Sequence, residues 1–250
     1  MKLFLGVNKY TSNTGVSGDM GWLSCLTKQR TEVFRFYLRL QQTSVDRLLY
    51  KVHKWSARRA NSWDSKVVKL ARKLQFDISD STRLHDIIRL LQFHDQSTWF
   101  NSLWNDRGNE LRGNKLRTYR KYKKDKLTES YITHTMPRGH RSVLAKLRNG
   151  SLPLKIETGR YTNPPLLIQE RLCPMCDVNA VESEIHFLCE CQTYSDIRLC
   201  LFNSAATYDA NFIYMNSTDK FYYLMKSEPL QVFLAKTVFL MMKRRRSFLN

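Results

Sequence analysis

The chain is patterned for helices. Between Gln29 and Gln41, the apolar residues Val33, Phe34, Tyr37, Leu38 and Leu40 recur close to i, i+4 spacing, which gathers them on one face. A second pattern runs through Leu48, Leu49, Val52 and Trp55; Thr43 or Ser44 can cap it, and Asp46 suits its first turn. Ser62 can cap a third helix carrying Val67, Val68, Leu70, Ala71 and Leu74. Ser81 or Thr82 can cap a fourth with Leu84, Ile87, Ile88 and Leu91, and Trp99, Phe100, Leu103 and Trp104 mark a fifth. Gly108 and Gly113 interrupt the pattern. Residues 115–128 then read as a basic helix with sparse apolar positions at Leu116, Tyr119, Tyr122 and Leu127. His140 to Arg148 reads as a short helix with Val143, Leu144 and Leu147 on one face, stopped by Asn149-Gly150. Residues 1–21, rich in Gly, Asn, Ser and Thr, read as irregular or short extended structure.

The character changes after Leu152. Pro153, Gly159, Asn163, Pro164 and Pro165 suggest an extended linker. Helical patterning returns near the end: Ser217 can cap one helix, and Ser227 with Pro229 in the first turn opens a last one carrying Leu230, Phe233, Val238, Leu240 and Met241. The expected fold is mainly α: a helical, basic domain over residues 1–150, an extended linker over 151–165, a compact element over 166–203, and C-terminal helices with a basic tail over 204–250.

Composition narrows the possibilities. Of the 250 residues, 42% are apolar and 12% aromatic, enough to build a core. No stretch approaches the roughly 20 apolar residues of a bilayer span, and the apolar run at the N-terminus is too short for a secretory signal. The chain is therefore expected to be soluble, to have no membrane partner and to be nuclear or cytoplasmic. Charge changes the picture more. The net charge is +19, and between Arg107 and Arg148 thirteen basic residues face three acids, leaving +10 in that stretch. Such a surplus favours a polyanionic partner. A second basic run, Lys243 to Arg246, resembles a nuclear-import patch.

The cysteines supply candidate chemistry. Five of the six fall between Cys173 and Cys200. With no secretory context for disulfides, metal binding is the competing explanation. Cys173 and Cys176 form a C-x2-C turn; His186 follows after nine residues and Cys191 after four more, giving C-x2-C-x9-H-x4-C. Two cysteines on one tight turn can present both sulfurs to one side, and a His and a Cys five apart converge if the turn carrying the His ends before the Cys. Together they can close a tetrahedron around zinc, with no position left open for chemistry. Spacing alone does not decide between Cys189 and Cys191 as the fourth ligand. The plain alternative is a set of reduced, buried cysteines beside an ordinary histidine.

Three segments together, Leu144 to Tyr161 (LAKLRNGSLPLKIETGRY), Glu170 to Cys176 and Glu184 to Cys191, resemble the CCHC zinc-binding region near the C-terminus of reverse transcriptases from non-LTR (LINE-type) retrotransposons. Tyr194 and Arg198 continue the likeness, and Phe4 to Asn13 and Gly18 to Trp22 are similar to a segment that follows the polymerase palm in that family. The resemblance implies that Cys191 is the fourth ligand, that the helical part is thumb-like, and that the palm is missing: the residues contain no Asp-Asp pair to hold catalytic metal ions. It therefore implies a non-catalytic region of a reverse transcriptase.

The function expected is binding of RNA or single-stranded DNA. Lys115, Arg117, Arg120, Lys121, Lys123, Lys124 and Lys126 would track phosphates. Tyr119 and Tyr122, interleaved among them, offer stacking surfaces, unless they anchor the helix to the core. The zinc element would hold Arg171 beside the same strand. An alternative is a zinc-stabilised protein-interaction module docking through an apolar patch on residues 229–242. Enzymatic use of His134 and His140 has little support, since no carboxylate partner lies near them in sequence.

Overall fold

The computed structural model describes residues 1–78, 82–105 and 115–249. The cap expected at Ser81, the breaks at Gly108 and Gly113, and the cations Arg107 and Arg112 lie outside them. In chain order the helices are α1 (Lys2–Leu5), α2 (Asn13–Met20), α3 (Cys25–Gln41), α4 (Leu48–Ala57), α5 (Trp63–Lys73) and α6 (Leu84–Asn105). Then come α7 (Tyr119–Tyr122), α8 (Ser130–Thr133), α9 (Arg138–Arg148), α10 (Lys155–Thr158), α11 (Ser195–Tyr208), α12 (Ser217–Lys226) and α13 (Gln231–Leu249). The fold is mainly α. The described residues form no strand, only an isolated antiparallel bridge between Leu172 and Val181. No described helix is long and apolar enough to cross a membrane.

The chain divides into two compact units, residues 23–98 and residues 1–22 together with 99–250, a division the sequence pattern did not reveal. In the smaller unit α3, α5 and the first half of α6 pack as their periodicity predicts, but the apolar face expected on α4 is exposed at Leu48, Leu49, Val52 and Trp55, and only His53 of that helix is buried. Phe34, Tyr37 and Leu38 of α3, Val67 and Ala71 of α5 with Leu74, and Ile87 and Leu91 of α6 form the unit's core. Ser62 caps α5, its side chain accepting from the Ser65 N–H at 3.1 Å. Ser24 does the same for α3 through Thr27 N–H, and Asp95 accepts from Thr27 Oγ1 at 2.9 Å. The cap expected from Thr43 or Ser44 is not made. Thr43 Oγ1 instead donates back to the Arg39 carbonyl at 2.8 Å, prolonging the end of α3, and α4 starts only after Arg47. Asp46 therefore precedes the helix it was expected to charge.

The larger unit departs more from expectation. The fourth and fifth predicted helices are one element, α6, because no Gly or Pro between Leu91 and Trp99 ends the first. The N-terminal 21 residues form α1 and α2 and bury Leu5, Val16 and Met20; helices this short show too few apolar positions to betray a period. The predicted linker is core: Leu152, Leu154 and Ile156 are buried around α10. The basic helix of 115–128 shrinks to the single turn of α7. The compact element over 166–203 is not a separate body, since Phe187, Leu188, Cys191 and Tyr194 share one hydrophobic cluster with Leu144, Leu147, Phe221 and Leu234.

α9 ends as predicted. Asn149 is its C-cap and Gly150 adopts φ 58°, where only glycine rests without strain; a Cβ there would also lie 2.1 Å from the Lys115 carbonyl oxygen. α13 packs along α9 and buries Leu234, Val238, Met241 and Met242. Its apolar stripe is thus mostly core, leaving Val232, Phe233 and Leu240 as the exposed large apolar remainder of the docking patch envisaged at 229–242. Nor is Lys243 to Arg246 a free tail. Arg244 makes a bidentate pair with Asp196 at 2.6 and 2.7 Å, and the buried Arg245 pairs with Glu182 at 2.7 and 2.9 Å.

Candidate metal centre

The site is assembled from two short pieces of backbone. The first is a tight loop between Leu172 and Val181, closed by the Cys173 N–H on the Ala180 carbonyl at 2.8 Å and the Glu182 N–H on the Arg171 carbonyl at 2.9 Å. Asn179 takes φ 54° to turn the chain back, a conformation asparagine tolerates. Cys173 and Cys176 stand on this loop. The second piece is a wide, π-type turn over His186–Glu190. Ser183 starts it, its hydroxyl accepting from the His186 N–H at 3.1 Å, and the Cys191 N–H closes it on the His186 carbonyl at 2.8 Å. Cys191 itself leaves the helical region with ψ 119°. An i→i+5 turn brings residues five apart to the same place, which is how a His and a Cys at this spacing come together.

The ligand atoms of Cys173, Cys176, His186 and Cys191 all lie within 4.8 Å of one another, and this group could hold a metal ion. Cys173 Sγ and Cys191 Sγ are 3.9 Å apart, and Cys176 Sγ is 3.4 Å from His186 Nε2. A tetrahedral centre with metal–sulfur bonds of about 2.3 Å and a metal–nitrogen bond of about 2.0 Å requires S···S and S···N separations of about 3.8 and 3.5 Å. The Cys173–Cys191 and Cys176–His186 separations match these values, within a group whose atoms all lie within 4.8 Å of one another. Cys173, His186 and Cys191 are buried and Cys176 is partly so. Burial pushes the Cys173 thiol up to about 12 and raises Cys191 as well. Without an ion these thiols hold their protons, which a metal has to displace.

Cys189 is not a member of the group. It is buried, and desolvation raises its thiol to about 12. Of the two candidate fourth donors, Cys191 is the one that lies in the group. The remaining cysteines, Cys25 and Cys200, are exposed and unpaired, not the buried hydrophobes expected of spare cysteines.

Residues that the sequence reading passed over complete the site. Glu190 Oε2 lies 3.3 Å from His186 Nδ1. A carboxylate there fixes the ring so that Nε2 faces the sulfurs and makes that nitrogen a better donor to a metal. Its i, i+4 spacing from His186 was visible beforehand. Thr193 Oγ1 donates to the Met175 carbonyl and clamps the C-x2-C turn to the second piece. Glu182 carries Arg245 and also accepts from the Lys155 N–H at 2.5 Å, tying the loop to α10 and α13. Glu190→Ala is expected to weaken metal affinity by about 10- to 100-fold while leaving the fold intact, measured by competition against a chromophoric chelator.

The predicted nucleic-acid residues fall into three groups. Tyr119 and Tyr122 are buried, their rings 5.5 Å apart within the core, and cannot stack on a base. Burial raises both phenols well above their ordinary range and keeps them as donors, Tyr119 to Asp19 and the Gly15 carbonyl and Tyr122 to the Arg148 carbonyl. Lys123 is also buried, 2.5 Å from Glu129 and 3.0 Å from Asp125. Arg171, 1% exposed, donates to the Ile156 and Leu166 carbonyls, so it braces the loop and does not face a ligand. Arg117 is paired with Glu184 and Lys115 with Glu157. Lys121 and Lys124 are exposed and Lys126 partly so. The partly exposed Arg120 and the Lys124 ammonium each sit 5.4 Å from the Trp104 ring centroid. The aromatic among the cations is therefore Trp104, not a tyrosine.

Comparison with protein-family models, with curated proteins and with solved structures finds no match.

Proposed function

We propose that this chain is a zinc-stabilised, nucleic-acid-binding region akin to the thumb and CCHC segment of LINE-type reverse transcriptases, binding RNA or single-stranded DNA without a polymerase centre of its own. The observation that carries the proposal is the convergence of Cys173, Cys176, His186 and Cys191 on one point. Three thiols and an imidazole are a soft donor set that suits zinc and disfavours magnesium or calcium. Zinc held by all four would act as a structural cross-link. The role of this chain's own residues is then to present cations in a fixed frame.

Support also comes from how the segments that carry the resemblance are used. Arg148, from the Leu-Arg lead-in, is bound bidentately by Asp19 of the Gly18–Trp22 segment. Glu157 pairs with Arg160 at 2.9 Å inside the Leu144–Tyr161 stretch, and Arg171 of the Glu-Arg pair before Cys173 braces the metal loop. Segments that look alike in sequence are joined in space as one body, as expected if they were inherited together.

Phosphate contact falls to Arg120, Lys121 and Lys124 beside Trp104. On single strands each phosphate contact contributes a slope of about −0.7 in log K against log salt. Binding of a single-stranded oligonucleotide is expected to weaken steeply with salt, and Lys121→Ala and Lys124→Ala should each flatten the slope by about that amount. Fluorescence anisotropy over a salt series checks this. A flat response, or no binding at low salt, overturns the nucleic-acid reading.

A further inference from the structure

A cavity of about 530 Å³ opens in the larger unit, lined by Asn8, Tyr10, Lys115, Leu152, Glu157 and Tyr161 among others. Its volume lies in the range of small-ligand sites. Two of its walls are large aromatic rings left mostly to solvent: Tyr10 is 68% exposed and Tyr161 65%. Tyr161 is held at its hydroxyl and Tyr10 through its backbone. The Tyr161 hydroxyl lies 3.3 Å from Glu157 Oε1 and the Lys115 ammonium 3.0 Å from the same oxygen. Lys115 also donates to the Tyr10 carbonyl at 3.2 Å, joining the N-terminal segment to the 151–161 segment across the cavity. Its ammonium lies 5.4 Å from the Tyr161 ring centroid, and Lys9 lies 5.0 Å from that of Tyr10. Leu152 is buried beneath.

These features specify a ligand class. A ring held at its hydroxyl end, as Tyr161 is, and left largely exposed, as both are, suits a flat, π-bearing group, because little side-chain freedom is lost when it stacks. Asn8 Oδ1 already accepts from the Tyr10 N–H at 2.8 Å, which leaves its amide N–H2 as a donor for a polar edge. Lys115 and Lys9 stand at the two rings, and Glu157 is the one acid among the lining residues, a balance that favours a ligand with a phosphate attached. A base of a single strand meets all three demands.

We propose that this cavity is a nucleobase site, in which one base of a bound strand stacks on the exposed faces of Tyr161 and Tyr10 beside the Lys115 ammonium. The proposal rests on the nucleic-acid reading above and deepens it, since it supplies the stacking surface that Tyr119 and Tyr122 do not. It also gives Lys115 a place at a base and not along a phosphate track.

The test uses the full chain and a short single-stranded oligoribonucleotide carrying 2-aminopurine, whose fluorescence is quenched on stacking, with adenosine monophosphate as a second probe. Tyr161→Ala and Tyr10→Ala replace exposed side chains and leave the core untouched. Each is expected to lower oligonucleotide affinity about tenfold and to abolish the quench, with the salt slope unchanged; Tyr161→Phe keeps the ring and should retain most of the binding. If the tyrosine variants bind and quench like the parent while Lys121→Ala and Lys124→Ala still flatten the slope, the base site is overturned and the phosphate reading stands. If the parent binds the mononucleotide through Tyr161 but shows no salt-dependent binding of the oligonucleotide, the base site stands and the phosphate reading falls. If neither probe binds, both are overturned.

Discussion

Replacing Cys173 by serine is expected to empty the metal site and to cost the larger unit much of its stability. Structural zinc contributes about 10–16 kcal/mol to the folding of finger peptides, which have nothing else to hold them. Here the loop around Leu172–Val181 and the π-turn have little regular structure of their own, but Phe187, Leu188 and Tyr194 beneath them belong to the large common core. Only part of that contribution is therefore lost locally, and the remainder appears as weakened packing of α12, which lies on the π-turn. A fall in melting temperature on the order of 10 °C or more follows, at about 2–4 °C per kcal/mol for a body of this size. His186→Ala and Cys176→Ser should behave alike, and excess chelator should reproduce the effect in the parent chain. Cys189→Ala is the control. It removes a buried sulfur outside the donor group and is expected to keep a full complement of metal, with a loss of about 1–2 kcal/mol from the small cavity. Metal content by mass spectrometry and thermal denaturation by circular dichroism read both variants. Full metal content in Cys173→Ser, or loss of metal in Cys189→Ala, would remove the donor assignment.

Cys173, Cys176 and His186 stood out in the sequence because coordination chemistry leaves a trace in spacing, two sulfurs on one turn followed by a spaced histidine, whereas spacing left Cys189 and Cys191 open and only the family resemblance favoured Cys191. The helices of the smaller unit were readable for a similar reason. α3 and α5 keep one face apolar over several turns, and Ser62 announces the start of α5. What could not be read were the places where tertiary contacts overrule local pattern. The 115–128 stretch looks like a solvated basic helix, yet Leu116, Tyr119 and Tyr122 are pulled into the core and Lys123 follows them to reach Glu129. The prolines and glycine after Leu152 suggest a linker, but Leu152, Leu154 and Ile156 are apolar at alternate positions and all are buried. Arg171 reads as a cation available to a ligand, and Arg245 as part of a basic run resembling a nuclear-import patch. Both are held by partners far off in sequence or by backbone carbonyls, which no local window contains.

The most consequential of these hidden partnerships is Arg148 with Asp19, and substituting Arg148 is expected to be the most damaging single change outside the metal site. Both side chains are fully buried. Arg148 Nε and Nη2 contact the Asp19 carboxylate at 3.1 Å each, Nη2 also reaches Glu129 at 2.8 Å, and Nη1 donates to the Met225 carbonyl at 2.9 Å. Tyr119 and Tyr131 complete the shell by donating to Asp19 at 3.0 and 2.7 Å. One side chain thereby ties α9 to α2, to the approach to α8 and to the end of α12. Burial alone would lower the guanidinium, but Asp19 together with Glu129 and the phenols of Tyr122 and Tyr131 outweighs it and holds Arg148 charged, well above its ordinary value. In Arg148→Ala the carboxylate stays buried with two hydroxyls, the Asn149 amide at 3.4 Å and no counter-charge, a situation that costs about 3–5 kcal/mol and should lower the melting temperature by about 10 °C. Asp19→Asn with Arg148→Met removes both charges and keeps the volume, so the double variant is expected to lose clearly less than the two single losses added together. A double-mutant cycle by thermal or urea denaturation measures the difference. Strictly additive losses would mean that the two charges stabilise the unit independently, and that Arg148 is held by its carbonyl and aromatic contacts and not by Asp19.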